Sequence, residues 1–280
     1  MIRLSGYLSK VKEMLAEQDC RVPVLTRCAI TPKWVVVQAE ECCGIGFGFF
    51  GEHAVHGNVA VEPMLALLNS YIGHSLDEVM SALAERDDIL SRAFYVASFN
   101  ALTNPLCSIE ALRQRGYAVS SPKDLSFIES DDKVVLIGYG MLINEVIERC
   151  GKVHICDMRP LDELQTVFID GSIRAGSPEV ILHTADEDMD VLKDADVVIA
   201  SACTLINDTW TDLFRWSEKA RIKGFYGPSG GIPPEIISDM GLNYLLTTHV
   251  FDVDKVFSNI RRSQMEMFAS NAAQNYSILI

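Results

Sequence analysis

Four short polar segments carry the chemistry open to this chain. Gly138-Tyr139-Gly140, Asp157 to Pro160, Ser201 to Thr209 and Gly227-Pro228-Ser229-Gly230-Gly231 each follow a run that reads as a β-strand. Open parallel sheets bind ligands beyond the carboxyl ends of their strands, so these segments on one edge would form a small-molecule crevice. Gly138 and Gly140 supply backbone freedom at a strand-to-helix turn, where a phosphate can approach bare amides at a helix N-terminus. Asp157 lies 19 residues after Gly138, about where an acidic residue hydrogen-bonds a ribose. The third glycine of that dinucleotide frame is replaced by Ile143, which leaves two readings open: an NAD-type oxidoreductase, or a βαβ unit that holds no dinucleotide. Thr204, Asn207 and Thr209 are ligand candidates, although Asn207, Asp208 and Thr209 equally suit capping of the next helix. Ser229 offers an amide and a hydroxyl to an anion, or serves as a turn residue. His249, at the end of a strand, suits an acid, base or ligand role, with a structural hydrogen bond as the plainer alternative.

Thiols and imidazoles suit zinc, copper or nickel. Cys42, Cys43, His53 and His56 bracket a glycine-rich stretch and are the metal candidates. Adjacent cysteines reach one tetrahedral ion with difficulty, and the spacing matches no zinc finger. The chain has no G-x-S-x-G elbow, H-E-x-x-H pair or G-x-x-x-x-G-K-[ST] loop, so neither a catalytic residue nor enzymatic activity is assigned.

Composition limits the partners. A net charge of −14 over 280 residues argues against a broad nucleic-acid surface, which needs a basic face. An apolar fraction of 49% suits sizeable cores rather than disorder. The eight cysteines form no C-x-x-C pair, and the first ten residues lack the apolar stretch of a signal peptide. No apolar run reaches a membrane span. The expectation is a soluble cytoplasmic protein that takes a small-molecule or metal ligand, binds neither nucleic acid nor membrane, and is compatible with a homo-oligomer.

The elements that must position these segments fall into two regions. In the first, Leu4 to Gln18 reads as an amphipathic helix, and Val22 to Ile30 with Trp34 to Ala39 as a hairpin. Gly44, Gly46, Gly48 and Gly51 then mark a loop or irregular strand lying close to other backbone. Helices are predicted over 63–70, 75–85 and 88–102, the second opened by the capping box Ser75 to Glu78. Residues 105–132 read as a connection. The second region alternates. Strands are predicted at 134–137, 153–156, 179–183, 196–200, 222–226 and 244–248. Helices are predicted at 141–149, 185–193, 210–220, 235–240 and 252–267. That alternation implies an α/β fold with a doubly wound parallel sheet. The last three residues, Ile278-Leu279-Ile280, are expected to pack on a domain or subunit.

Asp196-Val197-Val198-Ile199, Thr204 to Thr209 and Gly227-Pro228-Ser229, together with Asn100-Ala101-Leu102 and Gly138-Tyr139, resemble a family of uncharacterised prokaryotic proteins described only as "putative heavy-metal chelation" proteins. The resemblance covers nearly the whole chain. It implies a small α+β, enolase-N-terminal-like domain (1–104) followed by a Rossmann-like domain (105–280), with a pocket between them. The resemblance implies a small-molecule or metal-chelate binding protein, with a heavy-metal ion or chelate as the candidate cofactor; a non-catalytic metal carrier is a further alternative. Asn100 joins the ligand candidates on that resemblance and on its chemistry, because a buried amide among Phe94, Val96, Phe99 and Leu102 needs partners.

Overall fold

The computed structural model describes residues 4–50, 55–57, 60–122, 124–169, 171–263 and 266–280. The chain opens with a 3-10 turn and helix α1 (Leu8–Glu17), then builds an antiparallel sheet from β1 (Leu25–Ile30), β2 (Trp34–Ala39) and β3 (Cys42–Phe47) in that order. Helices α2 (Val61–Ser70), α3 (Leu76–Ala84) and α4 (Ile89–Thr103) follow. The predicted capping box is present at α3: Ser75 accepts from the Glu78 N–H, and Glu78 accepts from the Ser75 N–H at 3.0 Å.

The first part of the glycine-rich stretch is the regular strand β3 rather than a loop or irregular strand, and it lies close to other backbone as expected. Its glycines have a clear cause. A Cβ on Gly44 would lie 1.9 Å from the Ala97 carbonyl oxygen, and one on Gly46 would lie 2.4 Å from that of Ala93. Helix α4 therefore rests directly on the backbone of β3, and only glycine permits that approach.

The segment 105–132 contains a short helix, α5 (Ile109–Gln114), rather than connection alone. The second region then runs β4 (Val134–Ile137), α6 (Ile143–Cys150), β5 (Val153–Asp157), α7 (Leu161–Leu164), β6 (Val167–Ile169), β7 (Ile173–Ala175), β8 (Val180–Thr184), α8 (Asp188–Leu192) and β9 (Val197–Ser201). It closes with α9 (Trp210–Trp216), β10 (Ile222–Tyr226), α10 (Pro234–Asp239), β11 (Tyr244–Val250), α11 (Val253–Arg262) and β12 (Ala273–Leu279). The predicted final helix thus stops at Arg262, and the C-terminal residues form a strand that periodicity did not reveal.

Seven strands make one sheet in the order β12-β11-β10-β9-β4-β5-β8. The six from β4 to β11 are parallel, and β12 lies antiparallel to β11, so the predicted all-parallel sheet carries an antiparallel edge. Numbered along the chain, the six parallel strands stand 3-2-1-4-5-6, the order of doubly wound dinucleotide-binding sheets, with the switch point between β4 and β9. Both faces are covered, which is why the strands read as continuous apolar runs. Val134 and Leu136 face Ile143 and Val146 of α6, whereas Val135 and Ile137 join the core of Val191, Leu213 and Ile236 from α8, α9 and α10. That second core continues without a break into α1, α4 and one face of β2. The opposite face of the small sheet, through Val36, Cys43 and Ile45, packs on Val253, Val256 and Phe257 of α11. The hairpin β6–β7 stands apart, with all six strand residues exposed. No described helix is long and apolar enough to cross a membrane.

Candidate functional site

A cavity of about 540 Å³ opens where the carboxyl ends of the parallel strands meet the small sheet. This is the position open α/β sheets use for ligands, and the volume lies within the range of small-molecule pockets. All four polar loops border it. Gly138, Tyr139, Gly140, Asp157, Thr204, Asn207, Thr209, Gly227, Pro228 and Ser229 lie on its wall. The small sheet supplies an aromatic side through Trp34, Phe47 and Phe49, joined by Phe268. These rings meet edge to face: Trp34 to Phe47 at 5.4 Å, Trp34 to Phe268 at 5.5 Å, and Phe47 to Phe49 at 4.8 Å. The Lys33 ammonium, also on the wall, sits 5.4 Å from the Trp34 ring centre.

The loops are held by bonds to one another. Ser229 is buried, and its hydroxyl accepts the Phe47 N–H at 3.0 Å, which ties the loop after β10 to β3. The Thr204 hydroxyl donates to the Ser201 carbonyl at 2.7 Å, and the Thr209 hydroxyl donates to Asn207 Oδ1 at 2.8 Å. Thr209 occupies the N-cap position of α9 and makes no side-chain cap bond, while Asn207 Oδ1 accepts the Thr209 N–H at 3.4 Å. Asn207 Nδ2 donates to the Met158 sulfur at 3.4 Å.

The glycine turn serves a different purpose from the one its sequence suggests. The Tyr226 hydroxyl donates to the Gly138 carbonyl at 2.7 Å. A Cβ on Gly140 would stand 2.3 Å from that hydroxyl and 2.7 Å from the Tyr226 ring. The bare backbone of the turn admits a tyrosine ring where a dinucleotide fold admits pyrophosphate. Asp157 is engaged as well. Its Oδ2 accepts the Tyr139 N–H at 2.8 Å and Arg159 Nη2 at 2.9 Å, and its Oδ1 accepts the Arg159 N–H at 2.9 Å and Nε at 3.0 Å. Burial raises the Asp157 pKa, but these bonds outweigh burial and hold the carboxyl below its ordinary value. A ribose would have to displace Arg159.

Asp188, on the same wall, behaves oppositely. Burial lifts its carboxyl to about 6, the Cys156 thiol opposes that rise by hydrogen bonding, and Asp186, Asp157 and Glu187 add to it. Its Oδ1 is buried with no partner. Lys33, Asp188 and the aromatic side were missed at the sequence level, and Arg159 was named only as part of the segment Asp157 to Pro160. Arg159 and Asp188 carry no spacing signal, and the rings sit on strands whose nearness to the second sheet is a tertiary fact.

Asn100 and His249 lie elsewhere. They border a separate void of about 10 Å³, the room of a single water molecule. Asn100 Nδ2 donates to the carbonyls of Ile45 at 2.9 Å and Ser229 at 2.8 Å, bridging β3 to the loop that walls the main cavity. Burial lowers the His249 imidazole to about 4, and its Nδ1 is buried without a partner.

The metal candidates do not converge. Cys42 and Cys43 are successive strand residues whose side chains point to opposite faces of β3. Burial pushes each thiol up to about 12. The His56 ring rests on Phe49 at 4.9 Å, and His53 lies outside the described residues. Among the described residues, no three His, Cys, Asp or Glu side chains form a metal-holding group. The cavity thiols are poor ligands too, because burial raises Cys156 and lifts Cys203 to about 11.

A family model, DUF364, described as "Putative heavy-metal chelation", matches residues 122–277. An "Uncharacterized protein" of Methanocaldococcus jannaschii is 24% identical over 237 residues, covering 80% of this chain and 83% of that one. Two crystal structures of proteins with unknown function from the DUF364 family share the fold. The one from Desulfitobacterium hafniense has a TM-score of 0.69 at 15% identity, covering 98% of this chain and 100% of the other. The one from Pyrococcus horikoshii has a TM-score of 0.69 at 19% identity, covering 98% and 99%.

Proposed function

Because this chain belongs to the DUF364 family, we propose that it binds an organic small molecule, or a heavy metal already held in an organic chelate, in the cavity between the two sheets. Residues 1–104 and 105–280 act in this reading as two domains whose junction forms the site. The observation that carries it is the cavity of about 540 Å³, aromatic on one side and lined by backbone, hydroxyl and charged groups on the other. Such a lining suits a planar organic body with polar edges. The donor set counts against a bare ion: among the described residues no three ligands converge on the wall, and burial raises the pKa of its thiols. A metal arriving inside a chelate brings its own first ligands and needs only the organic surface recognised. The strand order supports the NAD-type oxidoreductase as a second reading, but Tyr226 against Gly140 and Arg159 on Asp157 both oppose it.

Non-denaturing mass spectrometry of purified protein tests this, with elemental analysis of the same sample. The expected result is an organic adduct, with or without metal, that is lost on Trp34→Ala. Metal retained with no organic mass would favour the carrier reading. Micromolar binding of NADH or NADPH by titration would favour the oxidoreductase.

A further inference from the structure

Away from the cavity, two histidines on neighbouring strands meet end to end. His154 on β5 and His183 on β8 lie diagonally on one sheet face, because the register pairs His154 with Ile181 and Cys156 with His183. His154 Nδ1 and His183 Nε2 stand 2.9 Å apart. The ring planes differ by 9° and the centroids lie 5.2 Å apart. Subtracting the nitrogen separation from the centroid separation leaves 2.3 Å, the length of two ring radii. The line joining the nitrogens therefore runs through both ring centres, and with near-parallel planes the rings are coplanar and collinear rather than stacked face to face.

That alignment has a definite coordination chemistry. Two neutral imidazoles placed this way share one proton, one nitrogen donating and the other accepting. The donating N–H and the accepting lone pair lie along one line, so without the shared proton the two nitrogens face each other and do not converge on the corner of a tetrahedron. A monovalent d10 cation takes two nitrogen ligands in a straight line and needs no third. We propose that His154 and His183 form a two-coordinate site for a monovalent d10 cation, Cu(I) or its analogue Ag(I), with the ion taking the place of the shared proton. In the exchange the bridging N–H bond breaks, its proton passes through solvent to the outer nitrogen of the same ring, and two metal–nitrogen bonds form, so both imidazoles stay neutral, no net proton is released and no oxidation state changes.

With metal–nitrogen bonds of about 2 Å the nitrogens must separate to about 4 Å, so the rings move apart by roughly 1 Å along their common line. Both residues are half-buried, so an ion from solvent can reach them. Burial lowers both imidazole pKa values, which keeps the rings in the neutral form that ligates. Glu187 Oε1 lies 3.9 Å from His183 Nδ1 and can orient that ring from behind. Lys133 opposes a cation but is paired with Asp194, and Lys152 adds a weaker opposing charge. The absence of a three-ligand group among the described residues agrees with a linear ion and disagrees with a tetrahedral one.

The test uses the whole chain under anaerobic conditions, with Cu(I) supplied as its bicinchoninate complex. Wild type and the variants His154→Gln and His183→Gln are compared, since glutamine keeps a hydrogen-bonding group if alanine unfolds the strand pair. Uptake is read from loss of the complex's colour, and the site from the ring nitrogen-15 shifts of His154 and His183. The expected result is one more equivalent bound by wild type than by either variant, at least tenfold weaker binding at the pair in both, and shifted ring resonances in wild type. Zinc(II) should bind there at least tenfold more weakly than Cu(I). Equal uptake by all three proteins, or uptake that leaves the two rings' resonances unmoved, overturns the proposal and assigns the ion to thiols.

Discussion

Replacing Asn100 by alanine should destabilise the protein before it affects any ligand. The Asn100 amide is the shared donor for two buried carbonyls, of Ile45 and Ser229, one on each sheet's side of the molecule. Alanine leaves both without that donor, and an orphaned buried acceptor costs about 1–3 kcal/mol. The same change removes Asn100 Oδ1, itself buried without a partner, which offsets about one such penalty. The net loss is about 1–3 kcal/mol, or a melting temperature lower by about 2–5 °C for a chain of this size. Urea and thermal unfolding of both proteins read it directly. Asn100→Asp sharpens the test. At pH 7 it sets a carboxylate against two carbonyl oxygens and should cost more than alanine, whereas at pH 4 a protonated acid can restore one hydrogen bond and part of the loss. A melting temperature within about 1 °C of wild type for Asn100→Ala would refute the bridge.

Gly44→Ala should cost several kcal/mol or prevent folding, because its Cβ would stand 1.9 Å from a carbonyl of α4 and neither backbone can yield cheaply; a soluble variant melting like wild type would contradict the direct contact of α4 and β3. His249→Gln should remove an acid sensitivity. With the folded imidazole lowered to about 4 and an unfolded value near 6.5, wild type keeps this contribution above about pH 6.5 and loses up to about 3 kcal/mol as pH falls toward 4, so the variant should narrow the melting difference between pH 7 and pH 4. Asp188→Asn should act with the opposite sign. The folded carboxyl is raised to about 6, so its contribution is present below about pH 4 and is lost as pH rises through 6. After discounting for partial exposure, that loss is about 1 kcal/mol, and the variant should melt about 2 °C above wild type at pH 7.5 and level with it at pH 4.

Local chemistry wrote much of this structure into the chain. Val134 to Ile137 and Val197 to Ala200 announce buried parallel strands because both faces of such a strand are apolar. Ser75 and Glu78 announce a helix start because the cap needs only residues three apart. The four polar loops could be placed on one edge because parallel strands all end on the same side, and the cavity wall contains them. What the Gly138 turn holds was not legible: a strand-to-helix glycine turn looks the same whether it receives a pyrophosphate or the ring of Tyr226, 86 residues beyond Gly140. The antiparallel β12 was hidden for a related reason. Ala273 to Leu279 alternates weakly, and its partner β11 supplies the pairing. Residues 42–47 read as a loop or irregular strand because glycine opposes strands on average, and the close backbone approach could be expected without its partner: the backbone of α4 laid on β3 is a contact across about fifty residues of chain. The aromatic wall from Trp34 and Phe47, and the line drawn through the rings of His154 and His183, exist only once separate strands have been set side by side. Periodicity reports which face of an element is buried; which residues meet across two elements is decided by packing.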